Sequence, residues 1–321
     1  MNEKREAAQP QPPSPPPPPS SAQSNGPTAR GFIAGIASGA TKLAVGHPFD
    51  TIKVRLQTEG LHGRFGGAID CLKKTVHREG FRGLYKGATP PLFGWAMMDS
   101  IQLGTLTNLR LAIQRSHADP TQPLSMGEHA LAGLGAGITV SFVAAPVELL
   151  KAKLQVQYGD TATLRYTGPV DCARQIARAH RFGVLGLWSQ LPATLLFRSW
   201  FWLLWGSYEV YTQSLRRSTY VSPALIPFLA GGLAANTFWV FSFPADVIKN
   251  RLMAAPLPMA RAAASGLTPY TSIAATARHI YRTEGTKGFF RGFWTCQLRS
   301  FPTNGAALIV FEFLNRELHW V

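Results

Sequence analysis

Pro48-Phe-Asp50-Thr-Ile-Lys53-Val-Arg55-Leu-Gln57 is the stretch that decides the fold, because two further copies of its pattern follow in the chain. The copies begin at Pro48, Pro146 and Pro244, so that successive prolines are 98 residues apart. Each copy has a proline, an acid two residues later and then two bases. Repetition at this distance predicts three structural units of about 100 residues, much longer than the units of a solenoid.

A second motif follows each copy and combines glycine, an aromatic residue and a base. It reads Glu79-Gly80 to Tyr85-Lys86-Gly87 in the first unit and Glu284-Gly285 to Phe290-Arg291-Gly292 in the third. The second unit has a degraded form that ends in Trp188-Ser189-Gln190. Apolar segments with small residues precede each proline, and others follow each second motif, at 88–109, 191–212 and 293–313. Six such segments of about twenty residues predict six membrane-spanning helices.

The charges favour a membrane protein over a large soluble protein with buried helices. Lys and Arg number 32 against 17 Asp and Glu, a formal net charge of +15, and they concentrate at 51–87, 148–190 and 246–292. The positive-inside tendency places these three links on one side of the membrane and both chain termini on the other. The excess of basic residues is therefore explained by membrane topology, and we expect no nucleic-acid partner. Each link also contains a short amphipathic stretch, around Cys71 and Cys172 in the first two units, that is expected to lie along the membrane surface.

Several classes of function are disfavoured by the sequence. The three cysteines form no disulfide framework or metal-binding spacing, and no nucleotide-binding or nucleophile motif occurs. We therefore expect no catalysis, no cofactor and no metal site. Residues 1–30 are rich in proline and predict a disordered tail without a signal peptide. The predicted units are 31–125, 126–222 and 223–321.

The repeated motif has a direct physical interpretation. A proline inside a membrane helix frees a carbonyl and bends the axis, so three of them can bring three helices together at one membrane face. Around a pseudo-threefold axis, each acid can pair with a base of its own helix or with a base of the next copy. The second arrangement pairs Asp50 with Lys151, Glu148 with Lys249, and Asp246 with Lys53. Glutamines nine residues after the first two prolines, Gln57 and Gln155, are placed to brace this ring, whereas the third copy has Met253.

The two motifs, present three times from about residue 31 to the C-terminus, resemble those of the mitochondrial carrier family. The resemblance implies an all-α bundle of six transmembrane helices with three short matrix-side helices, and solute exchange by alternating access across the inner mitochondrial membrane. It implies a monomer with both termini toward the intermembrane space. Matching positions assign the following residues to a matrix gate: Pro48, Asp50, Lys53, Pro146, Glu148, Lys151, Pro244, Asp246 and Lys249. The two bracing glutamines, Gln57 and Gln155, complete the predicted gate.

Two further sets of residues follow from the resemblance. The helix starts Tyr85-Lys86-Gly87 and Phe290-Arg291-Gly292 resemble cardiolipin-binding sites, and Ser189-Gln190 departs from that pattern. The cytoplasmic gate is poorly kept: Thr107 replaces the acid that would precede Arg110, and neither Tyr208-Glu209 nor Phe311-Glu312 is followed by a base at the family's position. A weak cytoplasmic gate favours a resting state open toward the cytoplasm.

Positions counted from the helix starts give the family's substrate contacts. The set is Gly94, Trp95, Met98, Asp99, Phe197, Arg198 and Arg299, with a one-residue ambiguity on the fourth helix. Arginines at membrane depth favour a carboxylate or a phosphate, although either could instead pair with Asp99 or Glu209.

The sequence around Pro48 resembles the carnitine and ornithine branch and so favours an amine-bearing carboxylate, whose cationic end Asp99 could face. Ser199 departs from that branch, which leaves open dicarboxylates, oxo-acids, an anionic cofactor or a non-transporting adaptor.

Overall fold

Three long helices, each with a proline inside it, form the frame of the protein. The computed structural model describes residues 29–61, 63–117, 119, 122–158, 165–217, 221–256, 270, 272–299, 302–303, 306 and 310. The frame consists of α1 (Ala29–Glu59), α4 (Met126–Gln155) and α8 (Ile226–Ala254), which contain Pro48, Pro146 and Pro244. The helices continue through these prolines, so the repeated motif lies on helical backbone near the C-terminal end of each. The proline-rich tail predicted for residues 1–30 lies almost entirely outside the described residues.

Shorter helices connect the frame in the same order in each unit. In the first unit α2 (Ala68–Glu79) and a 3-10 turn lead into α3 (Thr89–Ser116). In the second, α5 (Pro169–Ala179) leads through another 3-10 turn to α6 (Leu191–Ser199) and α7 (Phe201–Arg216). In the third, α9 (Ile273–Gly288), whose helical backbone is broken at Gly285 by a φ of 63°, precedes helical backbone at 293–299. The described residues contain helices, turns, bends and short irregular loops, with no strand among them, in agreement with the all-α prediction.

Among the residues that the structure describes, two helices meet a length and hydropathy criterion for crossing a membrane. They are α4 and α8, with mean hydropathies of 1.8 and 1.4 over their most apolar windows. At about 1.5 Å per residue α1 and α3 are also long enough. Their ionisable residues, among them Lys42 and Asp99, interrupt the apolar pattern. The six-span layout therefore remains a prediction.

Small residues bring α4 close to its neighbours. A Cβ atom on Gly137 would lie 2.3 Å from the carbonyl oxygen of Arg198, and one on Gly133 would lie 2.7 Å from Cδ1 of Trp205. This four-residue spacing of glycines lets α4 pack directly against α6 and α7, as small residues do between membrane helices. The core here consists of apolar and aromatic side chains from α3, α4, α6, α7 and α8: Met98, Val140, Ala144, Phe197, Phe201, Phe238 and Ala245.

Beside this apolar core, the bundle buries several charged side chains and exposes several large apolar ones. Arg55 and Arg251 are almost fully buried, whereas Phe142 and Phe241 on the outside of α4 and α8 are more than half exposed. Charged side chains inside and large apolar side chains outside are the arrangement expected of a bundle surrounded by lipid. The helix α2 follows this pattern too, since it buries Cys71 and Thr75 while Ile69 is 71% exposed.

Candidate functional site

Three ion pairs join the proline-containing helices into a closed ring. In each pair a lysine Nζ lies 2.7 to 2.9 Å from a carboxylate oxygen of a different helix. The pairs are Asp50 with Lys151, Glu148 with Lys249, and Asp246 with Lys53, the inter-helix arrangement expected from the sequence. We call these six residues the charge ring. Lys249 also lies 3.3 Å from Asp246 of its own helix.

Each lysine of the charge ring lies over an aromatic side chain. The Nζ atom of Lys249 is 4.2 Å from the ring centroid of Phe197, and that of Lys151 is 5.3 Å from the centroid of Trp95. Lys53 lies 4.4 Å from the centroid of Trp239. Cation–π contacts of this kind favour the ammonium group at partly desolvated positions. Trp95 and Phe197, expected to contact a substrate, thus also contact the charge ring.

One of the two predicted glutamine braces is present. Gln57 Nε2 donates to Asp246 Oδ2 at 3.0 Å, and Gln57 Oε1 accepts from Asn250 Nδ2 at 2.6 Å. Gln155 Nε2 instead lies 3.2 Å from Thr51 Oγ1, so the expectation that it braces the ring was wrong. The second partner of the Asp50 carboxylate is Arg299, with Nη1 3.0 Å from Oδ1.

The two arginines proposed for substrate contact are both bonded to acids of the charge ring. Arg299 pairs with Asp50, and Arg198 Nη2 lies 2.6 Å from Glu148 Oε1. Neither forms the alternative pair with Asp99 or Glu209 within the described part of the chain. Three acids and three lysines balance in the ring, so these arginines leave a formal charge of +2.

The remaining predicted substrate residues occupy different environments. Gly94 belongs to the packing of α3 against α4, because a Cβ atom there would lie 2.7 Å from Cγ1 of Val147. Met98 is buried, with its sulfur 3.9 Å from Arg198 Nη2. Asp99 is exposed and forms no ion pair or hydrogen bond within the described residues. Of this group, Asp99 alone offers an exposed charged side chain.

The fourth predicted span is interrupted beside Arg198. Trp200 separates α6 from α7, and its N–H donates to the carbonyl of Phe197 three residues earlier, as in a 3-10 turn. A 3-10 turn contains fewer residues than an α-helical turn. This interruption accounts for the one-residue difference obtained when the contact position is counted from the two ends of the helix.

A second set of contacts below the charge ring did not emerge from the sequence reasoning. Arg55 of α1 donates two hydrogen bonds to the Glu79 carboxylate, at 2.8 and 2.9 Å, and a third to the Gln155 carbonyl. Arg251 of α8 bonds in the same way to Glu284 and to the carbonyl of Gln57. Both residues belong to the quoted motifs, so their shared spacing was the available signal.

We call this bonding of the motif arginine to the glutamate of the surface helix, Arg55 with Glu79 and Arg251 with Glu284, the clamp. The second unit lacks it. Lys153 stands where the other units have arginine and donates to the carbonyl of Ala255, with no carboxylate in ion-pair range among the described residues. His180 takes the place of the acid. A Cβ on Gly186 would lie 2.5 Å from Cβ of His180, as one on Gly83 would lie 2.6 Å from Cβ of Glu79. The surface helix α5 is therefore not clamped as α2 and α9 are.

Electrostatics on the surface helices follow from these contacts. Burial alone would raise the pKa of Glu79, but the hydrogen bonds and charges of Arg55 and Lys86 outweigh it and lower the pKa below its usual value. Burial raises the pKa of the Cys71 thiol to about 11 and that of the Cys172 thiol to about 12. Both thiols are therefore protonated and inert at neutral pH.

Residues assigned to the cytoplasmic gate form few strong pairs. The Arg110 guanidinium lies 5.1 Å from the Trp205 ring and has no carboxylate in ion-pair range among the described residues. Glu209 Oε2 lies 3.7 Å from Nε2 of His129, and Tyr208 packs edge-on against Trp205. Phe311 and Glu312 lie outside the described residues.

The helix starts assigned to lipid differ between the units. Gly87 and Gly292 have left-handed backbones, with φ of 77° and 84°, whereas Gln190 has φ of −105°. Lys86 pairs with Glu79 at 2.6 Å, and Arg291 donates to the carbonyl of Phe65. These bases are thus engaged by protein groups. Phe290 and the hydroxyl-bearing Tyr85 pack against the neighbouring proline helices.

The sequence is similar to those of known proteins over nearly the whole chain. The sequence matches the family described as Mitochondrial carrier protein at residues 24–117, 122–219 and 221–320. It is 42% identical over 283 residues to mitochondrial substrate carrier family protein L of Dictyostelium discoideum, covering 88% of this chain and 93% of that protein.

Two relatives with named solutes are somewhat more distant. The chain is 35% identical to a mitochondrial carnitine/acylcarnitine carrier-like protein of Arabidopsis thaliana, over 89% of this chain and 97% of the relative. It is 34% identical to the mitochondrial basic amino acids transporter of Homo sapiens, over 86% of each chain.

Proposed function

The chain belongs to the mitochondrial carrier family, and from that premise we propose that it exchanges a small carboxylate-bearing metabolite across the inner mitochondrial membrane. The relatives named for carnitine and for basic amino acids support a solute that carries both a carboxylate and an amine. In the proposed layout six helices cross the membrane, α2, α5 and α9 lie at the matrix surface, and both termini face the intermembrane space. The protein acts as a monomer.

The observation that carries the proposal is the position of Arg198 and Arg299. Each approaches an acid of the charge ring from outside the lysine pairs, at 2.6 and 3.0 Å. A planar guanidinium binds a carboxylate through two parallel hydrogen bonds, so a solute carboxylate is a natural competitor for either arginine. The charge of +2 that the two arginines add to a balanced ring favours the carboxylate end of the solute at this place.

The same contacts suggest how solute binding opens the matrix side. When an arginine turns to the solute carboxylate, Asp50 or Glu148 loses one of its two cationic partners. The network that holds the ring closed then has one ion pair fewer, so the solute and the closed ring compete for the same arginine. Part of the free energy of solute binding thus favours opening of the charge ring, which re-forms when the solute leaves.

Asp99 supplies the second element of recognition. It lies on the same helix as Trp95, one turn further along, and is exposed and unpaired within the described residues. A carboxylate opposite two arginines suits a zwitterion or a cationic amino acid better than a dicarboxylate, which would be repelled at its second end. We therefore assign the solute's ammonium group to Asp99.

The test begins with thermal unfolding of the purified protein in mild detergent. Carnitine, acylcarnitines, basic and neutral amino acids, dicarboxylates, oxo-acids and nucleotides are added in turn, because a bound solute stabilises the folded state by mass action. We expect amine-bearing carboxylates to raise the unfolding midpoint of the natural chain, and this rise to disappear in Arg299→Ala. Arg278→Ala, which removes an exposed arginine of α9, is the matched control and keeps the rise.

Asp99→Asn separates the solute classes. We expect it to abolish the response to amine-bearing solutes while leaving any response to plain carboxylates. Exchange of the responding solute in liposomes then completes the assay. A folded protein that responds to none of these solutes would contradict the proposal and favour an adaptor role.

A further inference from the structure

Each proline of the frame removes one backbone hydrogen bond from its helix. Proline lacks an N–H group, so the carbonyl four residues earlier loses its donor. The carbonyls freed by Pro48, Pro146 and Pro244 are those of Ala44, Phe142 and Val240. In lipid such a group must find another partner or remain costly.

In the first two units an aromatic side chain supplies the missing donor. Tyr85 donates its hydroxyl to the Ala44 carbonyl at 2.9 Å, and Trp188 donates its indole N–H to the Phe142 carbonyl at 2.7 Å. Both side chains are the aromatic members of the second repeated motif. The bonds are made where the outer surface of the helix is exposed, since Phe142 is 51% exposed. The aromatic residue of each unit thus replaces the donor that its own proline removes.

The third unit keeps an aromatic side chain at this position but lacks the hydrogen-bond donor, because the residue is Phe290. Phe290 lies parallel to Phe243, the residue before Pro244, with centroids 6.3 Å apart and planes at 8°. Tyr85 lies in the same way beside His47, the residue before Pro48, at 6.2 Å and 17°. Phenylalanine has no hydrogen-bond donor. Within the described residues no side chain donates to the Val240 carbonyl.

We propose that Tyr85 and Trp188 are positioning residues that hold the proline bends of α1 and α4, and that α8 has the most compliant bend because Phe290 cannot do so. The hydrogen-bond part of this proposal is independent of transport. Its consequence for gating rests on the proposed function: α8 is the helix of the frame whose bend changes at least cost when the charge ring opens.

A double-mutant cycle tests the bond itself. Tyr85→Phe is measured in the natural chain and in Pro48→Ala, whose new backbone N–H can satisfy the Ala44 carbonyl. We expect the unfolding midpoint to fall by about 2 °C in the natural chain and to be nearly unchanged in the Pro48→Ala background. Trp188→Phe with Pro146→Ala is the parallel cycle. An equal loss in both backgrounds would mean that the aromatic ring acts through packing alone, and the proposal would be wrong.

The opposite change gives a gain that packing does not predict. Phe290→Tyr places a hydroxyl where the ring geometry matches that of Tyr85, so we expect a rise of about 2 °C and amide exchange around residues 240–247 slowed roughly fivefold. Both effects should vanish when Pro244→Ala is added. If Phe290→Tyr raises neither the unfolding midpoint nor the protection from amide exchange in the otherwise natural chain, the proposal is wrong. This experiment remains decisive if Pro48→Ala does not fold.

Transport measurements distinguish the two proposals. If Phe290→Tyr shows the gain in stability but leaves the exchange rate unchanged, the hydrogen bond exists and its role in gating is refuted. If no solute is exchanged by the natural chain, the proposed function fails while the stability cycles still stand.

Discussion

Replacing Glu79 by glutamine tests the clamp between the first surface helix and α1. The carboxylate accepts two hydrogen bonds from Arg55 at 2.8 and 2.9 Å and one from Lys86 at 2.6 Å. The Arg55 side chain has no exposed surface, and that of Glu79 is 4% exposed. Glutamine keeps the size of the side chain but leaves a buried guanidinium without a counter-charge.

The expected cost follows from that burial. Removing one partner of a buried pair costs about 3 to 5 kcal/mol, and the lower end applies because Arg55 keeps its bonds to Thr75 and to the Gln155 carbonyl. An unfolding entropy of about 2.1 cal/mol/K per residue converts about 3 kcal/mol into a fall of about 4 °C in the unfolding midpoint.

Unfolding can be followed with a thiol-reactive fluorophore. Cys71, Cys172 and Cys296 are all buried, so the folded protein is silent and the signal appears on unfolding. His180→Gln is the matched control, because His180 occupies the equivalent place in the second unit, where no clamp forms. We expect it to change the midpoint by less than about 1 °C.

The pH dependence has a definite sign. The folded-state pKa of Glu79 is lowered from its ordinary value of 4.5, so the clamp stabilises fully above that pH and is lost as the pH falls through the lowered value. The deficit of Glu79→Gln should therefore be largest at pH 7 and shrink below about pH 4. A deficit no larger than that of His180→Gln at pH 7 would refute the reasoning.

Three further changes have expected outcomes that follow from single contacts. Gln57→Met removes the brace of the charge ring and should lower the unfolding midpoint by about 3 °C, since it takes two buried hydrogen bonds away; an unchanged midpoint would show that the brace is not stabilising. Cys71 and Cys172 should resist alkylation at pH 8 in the folded protein, because both are buried and their pKa values are about 11 and 12; rapid labelling of either would contradict this burial. Gly94→Ala should cost about 1 to 3 kcal/mol in the same unfolding assay through its clash with α4, and a neutral result would mean that α3 is free to shift.

The pairing pattern of the charge ring was accessible from the sequence because symmetry supplies information that a single motif lacks. One copy of an acid and a base three residues apart leaves open whether they pair within the helix. Three copies at equal spacing allow a closed inter-helix ring, and the contact of Asp50 with Lys151 shows this arrangement in the structure. The contact of Lys249 with Asp246 shows that the pairing within one helix coexists with it.

The arginine contacts could not be read in the same way. Residue counting places Arg198 and Arg299 near the middle of their helices, but it fixes neither the rotation of those helices nor the reach of a long side chain. The interruption at Trp200 changes the rotation of the fourth segment, and the guanidinium groups extend to Glu148 and Asp50. Gly94 was assigned to substrate for the same reason, although its lack of a Cβ serves helix packing.

Departures from symmetry are as informative as the symmetry itself, because the second and third units each lack a contact that the first unit has. The first has the brace of Gln57, the clamp of Glu79 and the bond of Tyr85 to its own helix. The second lacks the clamp, and the third lacks the donor at Phe290. A ring that opens at three equivalent pairs would otherwise meet equal resistance from all three units. The brace, the clamp and the aromatic hydrogen bond together oppose opening, and the first unit has all three. We therefore expect the charge ring to open first at the second and third units, where α5 can move on the surface and α8 can bend.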